Sequence, residues 1–260
     1  MRQAFAVVLL ALLLASCAGG SGSSGTIKSD PENSFAHYYN LGLAAFEQKN
    51  YQEAIRHFQR SVELNPNISR THVELGTSYL FVGNNQGAAS AFERALELDP
   101  RMIEAHNSLG IAYLNLGRFN EAQQQFNALL NEPEYSTPFI PLYNLGNLYF
   151  QRKNYQQALL YYNEALKEET KITPDYRLAV RRQLGHVQYE LGDYEKAFNE
   201  YGRVLVISPR DLVAAFQSGM CAMKLGRNDD ARQMFTKVLT IDPDSQQAQE
   251  ARQHLNQLNN

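Results

Sequence analysis

Two cysteines and six histidines are the residues of this 260-residue chain best suited to nucleophilic, redox or metal chemistry, and their spacing argues against all three. Cys17 and Cys221 stand in settings too different to form a disulfide framework. His37, His57, His72, His106, His186 and His254 include no HExxH and no other pair at metal-ligand spacing. No GxSxG elbow offers a nucleophile, and no glycine loop ahead of a helix offers a phosphate cradle. The paired carboxylates Glu168 and Glu169 fall at a predicted helix end and read as a solvated face. His72 and His106 are 34 residues apart, and Cys221 follows a glycine by two residues, as do Ala44, Ser78 and Ala112. Residues that recur at one fixed spacing occupy packing slots. The sequence therefore predicts a non-enzyme with no metal or cofactor, a packing role for the two histidines and a buried, inert Cys221 thiol.

Cys17 is different. Met1-Arg2 gives a short positive start and Ala4–Leu14 is apolar throughout, too short for a membrane span of about 20 residues. That is the pattern of a cleavable secretory signal, residues 1–16. Its end, Leu14-Ala15-Ser16-Cys17, resembles the bacterial lipobox. The resemblance implies that Cys17 becomes the first mature residue, with a diacylglycerol on its thiol as a thioether and an acyl chain on its nitrogen. Two or three acyl chains anchor stably, at about 0.8 kcal/mol per buried CH₂. Ala18 in the next position implies sorting to the bacterial outer membrane, facing the periplasm. Residues 17–34 are dominated by Gly and Ser and read as a lipidated tether.

Composition bounds the rest. Hydrophobic residues make 44% of the chain and charged residues 20%, which fits a folded protein. The formal net charge is −3 and the longest basic run is Arg181-Arg182, so a nucleic-acid partner is not expected.

The elements that must position any site repeat along the chain. Marker glycines stand at 42, 76, 110, 146, 185 and 219, spaced 34, 34, 36, 39 and 34 apart. Leu75–Pro100 shows the unit: apolar residues at helical spacing, a break at Gly83-Asn84-Asn85, a second helix, and a stop at Pro100. Around the markers recur Leu-Gly, Tyr, Ala, an aromatic, Ala and Pro, as in Leu75-Gly76, Tyr79, Ala88, Phe92, Ala95 and Pro100. This pattern resembles the tetratricopeptide repeat. The resemblance implies an all-α, right-handed superhelical solenoid of six helix–turn–helix repeats: 35–68, 69–102, 103–136, 139–172, 178–211 and 212–245. Residues 246–260 follow as a polar capping helix. About two extra residues near Glu134–Pro138 and about five near Lys171–Asp175 are expected in loops between repeats.

In this repeat family one face of each first helix lines a concave groove. Carried onto this chain, those positions are Tyr39, Leu43 and Phe46; Val73, Thr77, Leu80 and Phe81; Asn107, Ile111 and Leu114. The later repeats give Tyr143, Asn147 and Phe150; Arg182, His186 and Tyr189; Phe216, Met220 and Met223. So apolar a surface points to a peptide or protein partner with apolar anchors rather than a small-molecule substrate. The Lys–Asn–Arg clamp that some members use for acidic C-termini is absent, because Tyr39 and Leu43 stand where Lys and Asn are needed. The plainer reading is that about half of these residues pack between neighbouring repeats.

A lipobox, a tether and six such repeats resemble the lipoprotein pilotins of the type IV pilus secretin. The junction Asn131–Pro138 leading into Tyr143-Asn144-Leu145-Gly146 adds to the similarity. The resemblance implies binding of secretin subunits, contact with the membrane through lipid, and help in secretin localisation and assembly. The alternative is a lipoprotein scaffold for envelope complexes, such as peptidoglycan hydrolases or exopolysaccharide export.

Overall fold

The computed structural model describes residues 34–133, 135–167 and 172–259, and every regular element among them is a helix. Cys17, its signal and the tether up to residue 33 lie outside the described residues, as do Glu168 and Glu169, whereas Ser34, the last residue assigned to the tether, caps α1. The helices come in pairs. The first members are α1 (Phe35–Glu47), α3 (Ser69–Phe81), α5 (Ile103–Asn115), α7 (Phe139–Gln151), α9 (Pro174–Glu190) and α11 (Leu212–Lys224). The second members are α2 (Tyr51–Leu64), α4 (Asn85–Leu98), α6 (Phe119–Leu130), α8 (Tyr155–Ala165), α10 (Tyr194–Ile207) and α12 (Asn228–Ile241), and α13 (Gln246–Asn259) closes the stack. Each helix packs on the next along the chain, which makes the molecule a solenoid. First helices also touch across pairs, α1 on α3 and α3 on α5 for example, and no second helices do so to a like extent. The first helices therefore form the inner layer of the curve.

Within a pair the fit rests on a ring lying over a glycine. A Cβ on Gly76 would come within 2.7 Å of Phe92 Cε1, and each of the other marker glycines lies as tightly beneath Phe58, Phe126, Tyr162, Tyr201 or Phe235. Only a residue without a side chain lets the helices approach that closely. These rings are wholly buried or nearly so, and each contributes roughly 1.5–3 kcal/mol.

The turn inside each pair needs one left-handed residue. Gly83 has φ +75, its N–H donates to the carbonyl of Leu80, and Asn84 N–H donates to the carbonyl of Tyr79. That double bond pattern ends α3 and satisfies its last carbonyls. Asn84 Oδ1 then accepts from Gly87 N–H at 3.0 Å and starts α4, as Asn154 does for α8. In the first and fourth repeats the left-handed position is held by Lys49 (φ 62) and Lys153 (φ 58).

The structure departs from expectation before the fifth repeat. Its first helix was expected from 178 with the added residues in a loop, yet α9 starts at Pro174 and runs for 17 residues. Pro174 suits a first helical turn, where no N–H partner is required. The added turn also buries apolar surface: Tyr176 packs edge-on against Phe139 at 5.3 Å, and Ile172 just before it is buried.

Candidate partner-binding groove

The predicted groove residues fall four and then three apart on each first helix, so they share one helical face. The structure separates them by burial. Val73, Thr77, Leu114 and Phe216 are buried between neighbours, in line with a packing role for part of the set. Tyr39, Leu43, Phe46, Leu80, Asn107, Ile111, Tyr143, Asn147, Phe150, Arg182, His186, Tyr189, Met220 and Met223 are half-buried. Phe81 is the one exposed member, at 38%.

Aromatic rings gather at two places along this face. Phe46, Tyr51 and Phe81 form the first cluster: Tyr51 stacks on Phe81 at 4.6 Å, and Phe46 meets both edge-on at 5.3 and 5.2 Å. The second gathers around Phe150, with His186 at 4.9 Å and Tyr155 at 5.5 Å, beside the Tyr189–Tyr194 pair at 5.2 Å. Tyr51, Tyr155 and Tyr194 open the second helices, and their recurrence after the turn read as scaffold. Their signal was an aromatic directly following Asn50, Asn154 or Asp193, which places its ring beside the groove residue of the preceding helix.

Between the clusters lies a row of amides. Asn144 Nδ2 donates to Asn107 Oδ1 at 3.0 Å across two repeats. The Tyr162 hydroxyl donates to Asn147 Oδ1 at 2.7 Å, and Gln183 Nε2 reaches the same oxygen at 3.5 Å. Charges stand at the flanks. Arg70 bridges Glu74 at 2.8 Å and Glu104 at 2.5 Å, and Arg182 faces Asp211 at 3.6 Å. Burial pushes the Glu74 carboxyl above its ordinary value against the pull of Arg70, and burial together with Glu74 raises the Tyr39 hydroxyl. Burial holds His186 below its ordinary value, opposed by Glu190 at 3.9 Å, so the imidazole is neutral at pH 7.

Two depressions of about 280 and 320 Å³ lie elsewhere on the molecule and include no groove residue. Among the described residues no three His, Cys, Asp or Glu side chains are placed to hold a metal ion, and no helix is long and apolar enough to cross a membrane. His72 Nε2 and His106 Nε2 make the same contact, to the carbonyls of Pro66 and Pro100 at 2.8 and 2.9 Å. Each ties its helix to the proline that ends the preceding one. Cys221 is buried, and burial pushes its thiol up to about 12, which leaves it an unreactive packing group.

Comparison with known proteins places this geometry. Tetratricopeptide-repeat profiles match residues 36–68, 73–137, 139–210 and 188–255. By sequence, the chain is 31% identical over 142 residues to the DnaJ homolog subfamily C member 7 homolog of Dictyostelium discoideum, covering 50% of this chain and 26% of that protein. It is 24% identical over 123 residues to the human intraflagellar transport protein 88 homolog, covering 47% of this chain and 15% of that one. The match thus spans about a quarter or less of these relatives. By structure, PilW, a widely conserved type IV pilus biogenesis factor, superposes with a TM-score of 0.74 at 18% identity over 83% of this chain and 97% of its own. PilF of Pseudomonas aeruginosa gives 0.67 at 20% identity, over 84% and 96%. YrrB, a repeat protein with an unusual peptide-binding site, gives 0.55 at 21% identity, over 75% and 97%.

Proposed function

Because the chain belongs to the tetratricopeptide-repeat family, a family of protein-binding scaffolds, we propose that its inner face captures a segment of a partner protein by apolar anchors. The Phe46–Tyr51–Phe81 cluster carries this reading. Its rings are already packed on one another, so they offer aromatic surface at little further entropic cost, and Phe81 stays open to solvent. A partner side chain set against Phe81 gains an anchor. Asn107, Asn147 and Gln183, which are half-buried, can exchange these bonds for bonds to the partner's main chain.

The partner in this reading is a secretin subunit, and the chain is a pilotin held at the bacterial outer membrane by lipid on Cys17. Two things support it: the lipobox with its tether, and a fold like those of PilW and PilF across nearly their whole length. Two experiments separate the layers of the proposal. Phe46→Ala with Phe81→Ala should weaken secretin capture by roughly 10–100-fold, on the scale of an aromatic hot spot, while circular dichroism shows a folded solenoid. Undiminished capture by a folded double variant would remove the groove from the mechanism. A deletion strain should lack secretin multimers in its outer membrane, and normal multimers there would remove the pilotin role.

A further inference from the structure

A repeat protein carries internal controls, since every surface residue has counterparts at the same slot. Twenty-one residues after each marker glycine stand Glu63, Glu97, Asn131, Lys167 and Thr240, and, in the fifth repeat, Val206. Five are polar. Val206 is 82% exposed, and Ile207 (37%) and Val213 (43%) extend the apolar surface across the α10–α11 junction. Arg203 and Arg210 frame it.

The counterpart α4–α5 junction has the same arginine frame, Arg94 and Arg101, but fills it differently. Glu97, Asp99 and Glu104 stand there in place of Val206, Ser208 and Val213. Arg94 is paired with Glu97 at 2.8 Å, and Asp99 lies beside Arg101. At α10–α11 no acid stands at those three positions, and Asp211, the N-cap of α11, faces Arg182 instead. Among the described residues Arg210 has no carboxylate in salt-bridge range, its Nη2 donating to the Ile241 carbonyl at 3.4 Å, while Arg203 pairs with Glu200. The α4–α5 edge holds what this surface lacks. Ile103, 37% exposed, lines the depression of about 320 Å³ together with Asp99, Arg101 and Glu132. Neither Asp99 nor Glu132 has a cationic side chain in salt-bridge range among the described residues, and the depression as a whole is net negative by one charge.

We propose that these two junctions bind each other in separate copies of the chain. Val206 of one copy enters the Ile103 depression of the next, and Arg203 and Arg210 face Asp99 and Glu132. Val206 meets Ile103, and Arg210 meets the acids that line the depression. The joined surfaces are not the same patch, so the contact is head-to-tail and propagates as an open chain. A contact of a few side chains from one junction belongs with weak, transient interfaces, so association is sought at high protein concentration.

Sedimentation equilibrium of the purified protein up to roughly 500 µM tests this, where contacts of that size become populated. Average mass should rise with concentration and fall back as salt is added. Val206→Glu should weaken association at least tenfold without unfolding, since Glu63 and Glu97 already occupy that slot in other repeats. Arg210→Glu alone and Glu132→Arg alone should each remain monomeric, whereas an equimolar mixture should associate again, because opposite charges then meet at both kinds of contact. A monomer at every concentration, association indifferent to Val206→Glu, or a mixture that stays monomeric would each overturn the proposal.

Discussion

The second and third repeats and the fifth solve one packing problem in two ways. Four residues before the marker glycine, the former place His72 and His106 against the carbonyls of Pro66 and Pro100. The fifth places Arg181 there, buried, with Nη1 2.7 Å from Glu200, itself buried and shared with Arg203. The backbone slot is the same, but the energetics differ. An imidazole bonded to a backbone carbonyl makes one local hydrogen bond, whereas a buried guanidinium brings a charge that depends on its carboxylate. The fourth repeat avoids the problem, with Leu142 and Tyr161 at the two matching positions.

That contrast breaks most visibly at Glu200. Glu200→Ala should cost about 3–5 kcal/mol in urea unfolding, because it breaks a buried ion pair whose carboxylate Arg181 and Arg203 share. His72→Ala, at the histidine counterpart, should cost nearer 1 kcal/mol beyond its lost packing. Copying the fourth repeat into the fifth, Arg181→Leu with Glu200→Tyr, should recover most of the loss. If the double variant is as unstable as Glu200→Ala, the ion pair is more than a local substitute for apolar packing.

Gly76→Ala tests the feature that both regions share. The added methyl meets the Phe92 ring, and overpacking of this kind costs about 1–3 kcal/mol, read as a lower denaturant midpoint. Lys153→Gly acts in the opposite direction: it relieves a left-handed lysine and should stabilise by about 0.5–1 kcal/mol in the same assay. The smallest effect is a pH slope at His186. Burial holds its folded-state value below the unfolded one near 6.5, so the unfolded chain binds this proton first. Stability should be full above that value and decline as pH falls through it, and His186→Gln should be flatter across pH 7.5 to 5.5 than the parent protein. The partial exposure of the ring keeps this effect small.

The scaffold was legible because its rules are local. A glycine 16 residues before an aromatic, an Asn or Gly in the turn and a proline after the second helix each have a mechanical reason within about 30 residues, and all of it recurs. The site was less legible because it depends on how one repeat leans on the next. Val73 and Leu114 sit at groove positions by register, yet neighbouring helices cover them, while Tyr51 joins the groove from a second helix. The extra turn of α9 was hidden for the same reason, since Tyr176 has a use there only once Phe139 is in place. Nothing in the helical periodicity of a single repeat encodes those tilts.

The contact pattern has a mechanical consequence. Every substantial helix contact among the described residues joins neighbours or next neighbours along the chain, and nothing staples one end of the stack to the other. Tension applied between the two ends would load the repeat interfaces in series rather than in parallel. The molecule would yield as a coil spring does at small extension and then shed helix pairs one at a time, the pair with the poorest interface first. A pull that would rupture a sheet protein in one event would here be absorbed in instalments, with the unpeeled repeats still folded.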